Sequence, residues 1–348
     1  MILQEMSNTS QPFFTIGVTT YNRRDMLAEC LQSILAQTFI DYEVIIGNDY
    51  VADKLQLEEF DIDDDRFRIV NHDTNLGEIN NMNWLLDNAK GEYFTWLGDD
   101  DAYYIRFLES IYNGLSMNNN ISCIYSGFNF SDKFIKSDFQ DLANISLLTG
   151  KDLLFKYHNK DINLHGCYGV FETEYLKSIG GMSQTGTGIS PYSSDIIVLN
   201  TALKDQVGYQ DGSPVFYRKH EESLSIFSTD IVSYVTAQTD FIAYLDNVLI
   251  KIIANKKDKH TLICNIYREL ISHFFALKLR SKGSAAIIKN YSSFTYWFIL
   301  HKYLKHYNNS TNYVIGIYFV KRFLIYSLRS IGVLNVFIPL LRRKIVNL

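Results

Sequence analysis

Hydrophobic positions in the first hundred residues come as short unbroken runs, separated by polar turns and by segments of helical spacing. The runs Phe13–Thr19 (FFTIGVT), Tyr42–Gly47 (YEVIIG), Phe67–Asn71 and Tyr93–Leu97 are apolar and rich in β-branched or aromatic residues, a pattern that predicts buried strands. Met26, Leu27, Cys30, Leu31, Ile34 and Leu35 recur at helical spacing, with Asp25 near their start. A polar helical stretch is predicted after Asn48-Asp49, and a helix around Ile79–Ala89 after the turn Asn75-Leu76-Gly77. Strands alternating with helices predict an α/β fold with a mostly parallel, Rossmann-like central sheet flanked by helices on both faces.

Further on, a helix is predicted over Phe107–Leu115 and strands over Ile121–Ser126 and Gly166–Phe171. Gly180-Gly181-Met182 leads into a Gly/Ser/Thr-rich loop, after which Asp195 opens an apolar helix, Ile196–Leu203. The strand Val215–Tyr217 runs into Arg218-Lys219-His220-Glu221-Glu222-Ser223, a mixture of cation, imidazole and hydroxyl that suits a diphosphate or, equally, a polar surface loop. From Asp230 the pattern is helical to the end. The predicted domains are therefore 1–228, α/β, and 229–348, mainly helical.

The net charge of -5 hides an asymmetry: residues 251–348 carry 17 Lys/Arg and 2 Asp/Glu, leaving a strongly acidic body and a basic, aromatic-rich tail. No nucleic-acid motif accompanies that basic excess, so nucleic acid is not an expected partner. The four cysteines are far apart without metal spacing, which suggests buried thiols in a reducing compartment, and no secretory signal is visible. In the tail the most apolar pieces, Tyr291–Leu300, Tyr313–Val320 and Ser330–Leu341, are too short to span a bilayer. Basic helices with aromatic anchors suit the plane of an anionic membrane, a helical bundle or an oligomer interface.

The strand Tyr93–Leu97 runs into Gly98 and three successive carboxylates, Asp99, Asp100 and Asp101. Adjacent anions repel, and hard oxygen ligands at a strand end suit Mg2+ or Mn2+; the plainer alternative is a solvated acidic turn. Tyr21, Asp49 and Asn75 fall at other strand ends, where ligands of open α/β sheets bind. Asp61, Asp63, Asp64 and Asp65 lack the glycine and terminal Glu of an EF-hand loop and read as a solvated connection.

Taken in order, TTYNR, the strand ending in Asn48-Asp49, NLG with Asn83 downstream, GEYFTWLGDDD, ETEYLKSIGGM, the Asp195 helix and YRKHEESLS resemble the inverting family-2 glycosyltransferases of bacterial surface-polysaccharide type. The resemblance covers residues 13 to about 226 and implies a GT-A-like fold, with a nucleotide-diphosphate sugar, commonly UDP-linked, as donor. It implies that Thr20, Tyr21, Asn22, Arg24, Asp49, Asn75, Gly77, Asn83, Asp99, Asp100, Arg218, His220 and Ser223 hold the donor nucleotide. Asp99, Asp101 and His220 are the expected ligands of Mn2+ or Mg2+, and Asp195 the expected catalytic base. Gly98 stands where the family's metal motif has its first Asp, and Tyr50-Val51-Ala52-Asp53 replaces a small turn. Donor selectivity is expected to depend on pocket shape near Tyr103, His165 and Ser190. By analogy the acceptor is a glycan, lipid-linked, and the protein lies in the cytoplasm at the inner face of the membrane. A sugar nucleotidyltransferase, or a non-catalytic nucleotide-sugar or glycan-binding subunit, is the alternative. The former needs a basic Gly-rich loop near the first strand, and an intact acidic set argues against the latter.

Overall fold

A computed structural model of the chain describes residues 11–118, 120–135, 144–187, 190–220, 230–280, 292–305, 307 and 309–330. It divides into two compact units, Met1–Gln184 with Ser193–His220, and Thr185–Tyr192 with Glu221–Leu348. The predicted boundary after residue 228 lies outside the described residues, as do Ser223 and residues 331–341 of the last apolar piece.

The first unit is built on one sheet. Its strands are β1 (Phe14–Thr20), β2 (Tyr42–Asn48), β3 (Phe67–Asn71), β4 (Tyr93–Gly98), β5 (Ala102–Tyr103), β6 (Cys123–Ser131), β7 (Ile145–Leu148), β8 (Val170–Glu172) and β9 (Val207–Arg218). Their order is β3-β2-β1-β4-β8-β6-β9-β5, with β7 also on β9. The helices are α1 (Arg24–Leu35), α2 (Glu78–Asp87), α3 (Phe107–Met117), α4 (Gly150–Asn159), α5 (Thr173–Ser178) and α6 (Ser193–Thr201). Phe14, Ile16 and Val18 of β1 are fully buried with Leu27, Leu31 and Ile34 of α1 and with Val44 and Ile46 of β2. A central strand covered on both faces needs a continuous apolar run, and β1 has one.

The sheet is mostly parallel in its long ladders, as expected, with short antiparallel additions, and two other expectations are corrected. β3-β2-β1-β4 and the β6–β9 pair are parallel, but β8 is antiparallel to β4 and β6, and β5 and β7 are antiparallel to β9. An apolar run signals burial; its direction depends on the neighbour it finds. The polar stretch after Asp49 makes only a 3-10 turn, Leu57–Phe60. There Asn48 Nδ2 donates to Asp53 O (2.7 Å) and Asn71 Nδ2 to Leu55 O (3.0 Å), side-chain bonds that compete with a helix. Gly166–Phe171 is not one strand: Gly166–Tyr168 is a 3-10 turn that precedes β8.

The second unit contains the long helices α7 (Ile231–Ile252), α8 (Lys256–Arg280), α9 (Ser293–Leu304) and α10 (Asn309–Ser330). Asp230 caps α7 and Ser292 caps α9, each accepting from the main-chain N three residues on, both at 3.0 Å. Inside this unit Phe274 stacks on Tyr296 at 3.7 Å, and Tyr296 OH donates to Gln238 Oε1 at 2.7 Å. The amide Nε2 of Gln238 in turn donates to Leu270 O at 3.0 Å. Among the described residues no helix is long and apolar enough to cross a membrane.

Candidate active site

The parallel register sets Thr20 beside Asn48, and Thr19 beside Gly98, so that β1, β2 and β4 end at one rim. Asp99, the first residue beyond β4, is fully buried there. Its Oδ2 accepts from Thr20 Oγ1 (2.6 Å) and from the main-chain N of Tyr21 (3.3 Å). Arg23 Nη2 lies 3.0 Å from Oδ1 as an ion pair, without the alignment of a hydrogen bond. Burial pushes the Asp99 carboxyl up to about 7; Arg23 opposes that shift, Asp100 adds to it, and the Thr20 and Tyr21 donors oppose it.

Arg23 Nη1 also donates to Asp100 Oδ2 at 2.7 Å, so one guanidinium bridges two carboxylates. His220 Nε2 lies 2.8 Å from the same Oδ2. Asp101 turns inward: Tyr168 OH donates to its Oδ2 (2.6 Å) and the main-chain N of Arg218 to its Oδ1 (2.9 Å). Burial, then Asp100, raises the Asp101 carboxyl well above the usual range. Arg218 donates from Nε to Asp100 O at 2.7 Å and pairs with Glu29, lacing the end of β9 to the triplet. A Cβ at Gly98 would lie 2.7 Å from Asp100 Oδ1, so a larger residue there would make the Asp100 carboxylate move.

On the β2 side, Asp49 Oδ1 accepts from Leu76 N (2.6 Å) and Oδ2 from Gly77 N (2.8 Å), while Asn75 Oδ1 accepts from Gly77 N (2.8 Å). Gly77 has φ of 80°, which favours glycine, and it carries the chain into α2. Tyr21 is exposed, its ring edge-on to Tyr50 at 5.1 Å, and Asn22 beside it is exposed in the left-handed region.

Two expected nucleotide ligands are occupied elsewhere. Arg24 pairs with Asp53 (2.8 Å) and Glu59 rather than with the triplet, because as the first residue of α1 it faces the loop after β2. Asn83 exchanges two hydrogen bonds with the main chain of Met182, both 2.8 Å, and clamps the Gly180-Gly181 turn. Tyr103 is in the core, stacked on Phe107 at 4.2 Å.

Asp195 lies in the first turn of α6, half-buried, and accepts from Tyr157 OH at 2.8 Å. The start of α6 rests on the turn that carries Tyr168. A Cβ at Gly166 would lie 2.3 Å from Ser194 O, which only glycine avoids, and Tyr168 two residues on holds Asp101. One 3-10 turn thus ties the Asp195 helix to the acidic rim. On it His165 Nδ1 lies 2.7 Å from Cys167 Sγ, and burial lowers the imidazole to about 4, keeping it neutral. Burial, then Asp101 and Glu78, raises the Cys167 thiol.

Sequence reasoning missed Arg23, Glu29 and Tyr168. Arg23 had a local signal, the Tyr-Asn-Arg turn directly after β1, whereas Tyr168 reaches Asp101, and Glu29 reaches Arg218, only through space. Among the described residues no three His, Cys, Asp or Glu side chains form a ready cation cage. The donor set nonetheless suits a hard dication. Asp99 Oδ1 is buried without a hydrogen-bond donor, and Arg23 and His220 both meet the Asp100 carboxylate at Oδ2.

A mixed sheet with an acidic strand end and flanking helices is the GT-A architecture. The first 349 residues of S. aureus TarS, solved with UDP-GlcNAc, superpose with a TM-score of 0.51 at 17% identity, covering 81% of this chain and 90% of that one. Residues 15–180 match the model of glycosyl transferase family 2, so that the chain contains a domain of that family. An uncharacterized glycosyltransferase of Rickettsia bellii is 28% identical over 66% of this chain and 35% of its own length. The GalNAc(5)-diNAcBac-PP-undecaprenol beta-1,3-glucosyltransferase of Campylobacter jejuni is 37% identical over 26% of this chain and 30% of its own. The chain thus spans about a third of the length of these curated relatives.

Proposed function

We propose that the chain transfers a sugar from a nucleotide-diphosphate donor, a UDP-sugar, to a hydroxyl of a glycan acceptor, inverting the anomeric carbon. The observation that carries this reading is the acidic rim joined to the Asp195 helix through the Gly166–Tyr168 turn. Tyr21 and Tyr50 offer ring surface to the base, with Thr20 and Asp49 beneath. Asp100 and His220, with Asp99, would hold Mn2+ or Mg2+; Asp101, whose oxygens are both engaged, anchors the loop instead. When bound, the dication supplies positive charge against the departing diphosphate. Arg23 keeps the carboxylates neutralised before the donor arrives, and Arg218 holds the loop in register. Asp195, oriented by Tyr157, takes the proton of the acceptor hydroxyl, so that attack comes in line and needs no covalent sugar–protein intermediate. The Campylobacter relative's name contains an undecaprenol-linked glycan, which supports a lipid-linked acceptor in surface-polysaccharide synthesis, met at the inner face of the membrane.

The test is sugar release from a panel of nucleotide sugars with Mn2+, followed by transfer to an added glycan. Asp195→Asn is expected to fold, to keep the thermal shift given by UDP with Mn2+, and to lose transfer by about a hundredfold or more. Transfer within about tenfold of the parent would remove Asp195 from that role.

A further inference from the structure

The helix α10 is apolar on two opposite faces. Thr311, Ile315 and Phe319 are buried within the second unit. Tyr313, Ile317, Val320 and Leu324, spaced four, three and four apart, fall on a single stripe turned away from them. All four are between 52% and 70% exposed. The neighbouring helix α9 repeats the theme. Trp297 packs on Gly316 and on Phe319 (4.8 Å), while Phe298, 72% exposed, shares a face with Lys302 and Lys305. Lys321 borders the stripe on α10. Across residues 292–330 there are five Lys/Arg and no Asp or Glu.

Four large apolar side chains exposed along one stripe of a helix mark an interaction site. Its surroundings decide the occupant. A second copy of the chain meeting the stripe by two-fold symmetry would bring like cations together. An anionic lipid surface takes the apolar stripe below its headgroups and pairs the lysines with phosphate, and among the described residues no helix is long and apolar enough to cross a bilayer. We infer that the Tyr313–Leu324 stripe of α10, with Lys321 at its border and Lys302 and Lys305 exposed on the neighbouring α9, docks in the plane of an anionic membrane. Docking would retain the chain where a lipid-linked acceptor resides, and in that respect rests on the proposed transfer reaction. Vesicle binding itself needs no sugar chemistry, so the two fail separately.

The experiment is flotation of the full chain with vesicles of phosphatidylcholine alone or mixed with phosphatidylglycerol, alongside sedimentation without vesicles. Ile317→Asp/Leu324→Asp and Lys302→Glu/Lys305→Glu/Lys321→Glu change exposed positions and the half-buried Lys321, and are expected to keep the helical circular dichroism of the parent. The parent should float with the anionic vesicles only, and each variant should bind on the order of tenfold more weakly or worse. Equal flotation of the Ile317→Asp/Leu324→Asp variant, or no flotation of the parent, overturns the inference. A concentration-dependent dimer abolished by that variant, without vesicle binding, would overturn it in favour of a second copy.

Discussion

Asp99 is the residue whose chemistry is most altered by its position. Its carboxyl has an ordinary value of 3.8 in the unfolded chain and about 7 at the rim. Between those values the folded protein keeps a proton that the unfolded chain has lost. The stability it contributes is therefore full below 3.8 and drains away as pH rises through about 7. Asp99→Asn cannot ionise, so its melting temperature is expected to fall less than the parent's from about pH 4 to about pH 8; parallel profiles would mean that Asp99 ionises normally. The neighbouring arginines should part company in a urea titration. Arg23→Ala removes the cation shared by Asp99 and Asp100, a charge-assisted contact, and is expected to cost about 2 kcal/mol. Arg24→Ala breaks pairs at the surface and should cost about 0.5 kcal/mol. Similar losses would place both arginines outside the buried network.

Among the elements, the Gly166–Tyr168 turn is the one on which the site depends. It seats α6 through a glycine that meets Ser194 O and holds Asp101 through Tyr168. Gly166→Ala sets a Cβ against main chain, so α6 must shift and carry Asp195 with it. Sugar transfer is expected to fall at least about tenfold, with UDP affinity near the parent's, because displacement of about 1 Å is enough to disturb alignment. Undiminished turnover would show that the two elements tolerate separation. This turn was hard to read in the chain, since Gly166–Phe171 has the apolar character of a strand. The strands β1, β2, β3 and β4 and the helix α1 were legible because each buries a continuous run or stripe. The short β8, pairing only two residues with β4 and two with β6, was legible as a strand but not in its direction.

For the whole molecule, a donor that binds only the folded state raises stability by mass action. At about a hundred times its dissociation constant the gain is about 2.7 kcal/mol. UDP with Mn2+ is expected to raise the melting temperature of the full chain more than either alone, and Asp100→Asn to remove the metal's share. An unchanged metal increment in that variant would exclude Asp100 as a ligand. The acidic body and basic tail also assign electrostatic work to different parts of the chain.

The chain alone determined that strands alternate with helices and that carboxylates stand at a strand end. Apolar runs must be buried whatever they meet, and polar residues directly after a buried strand reach the sheet's rim. Only the tertiary structure decided which of two adjacent arginines faces those carboxylates, that Asp101 points inward onto Tyr168, and which strands run antiparallel. Each of these depends on a partner distant in sequence, and the geometry of packing, rather than local pattern, selects that partner.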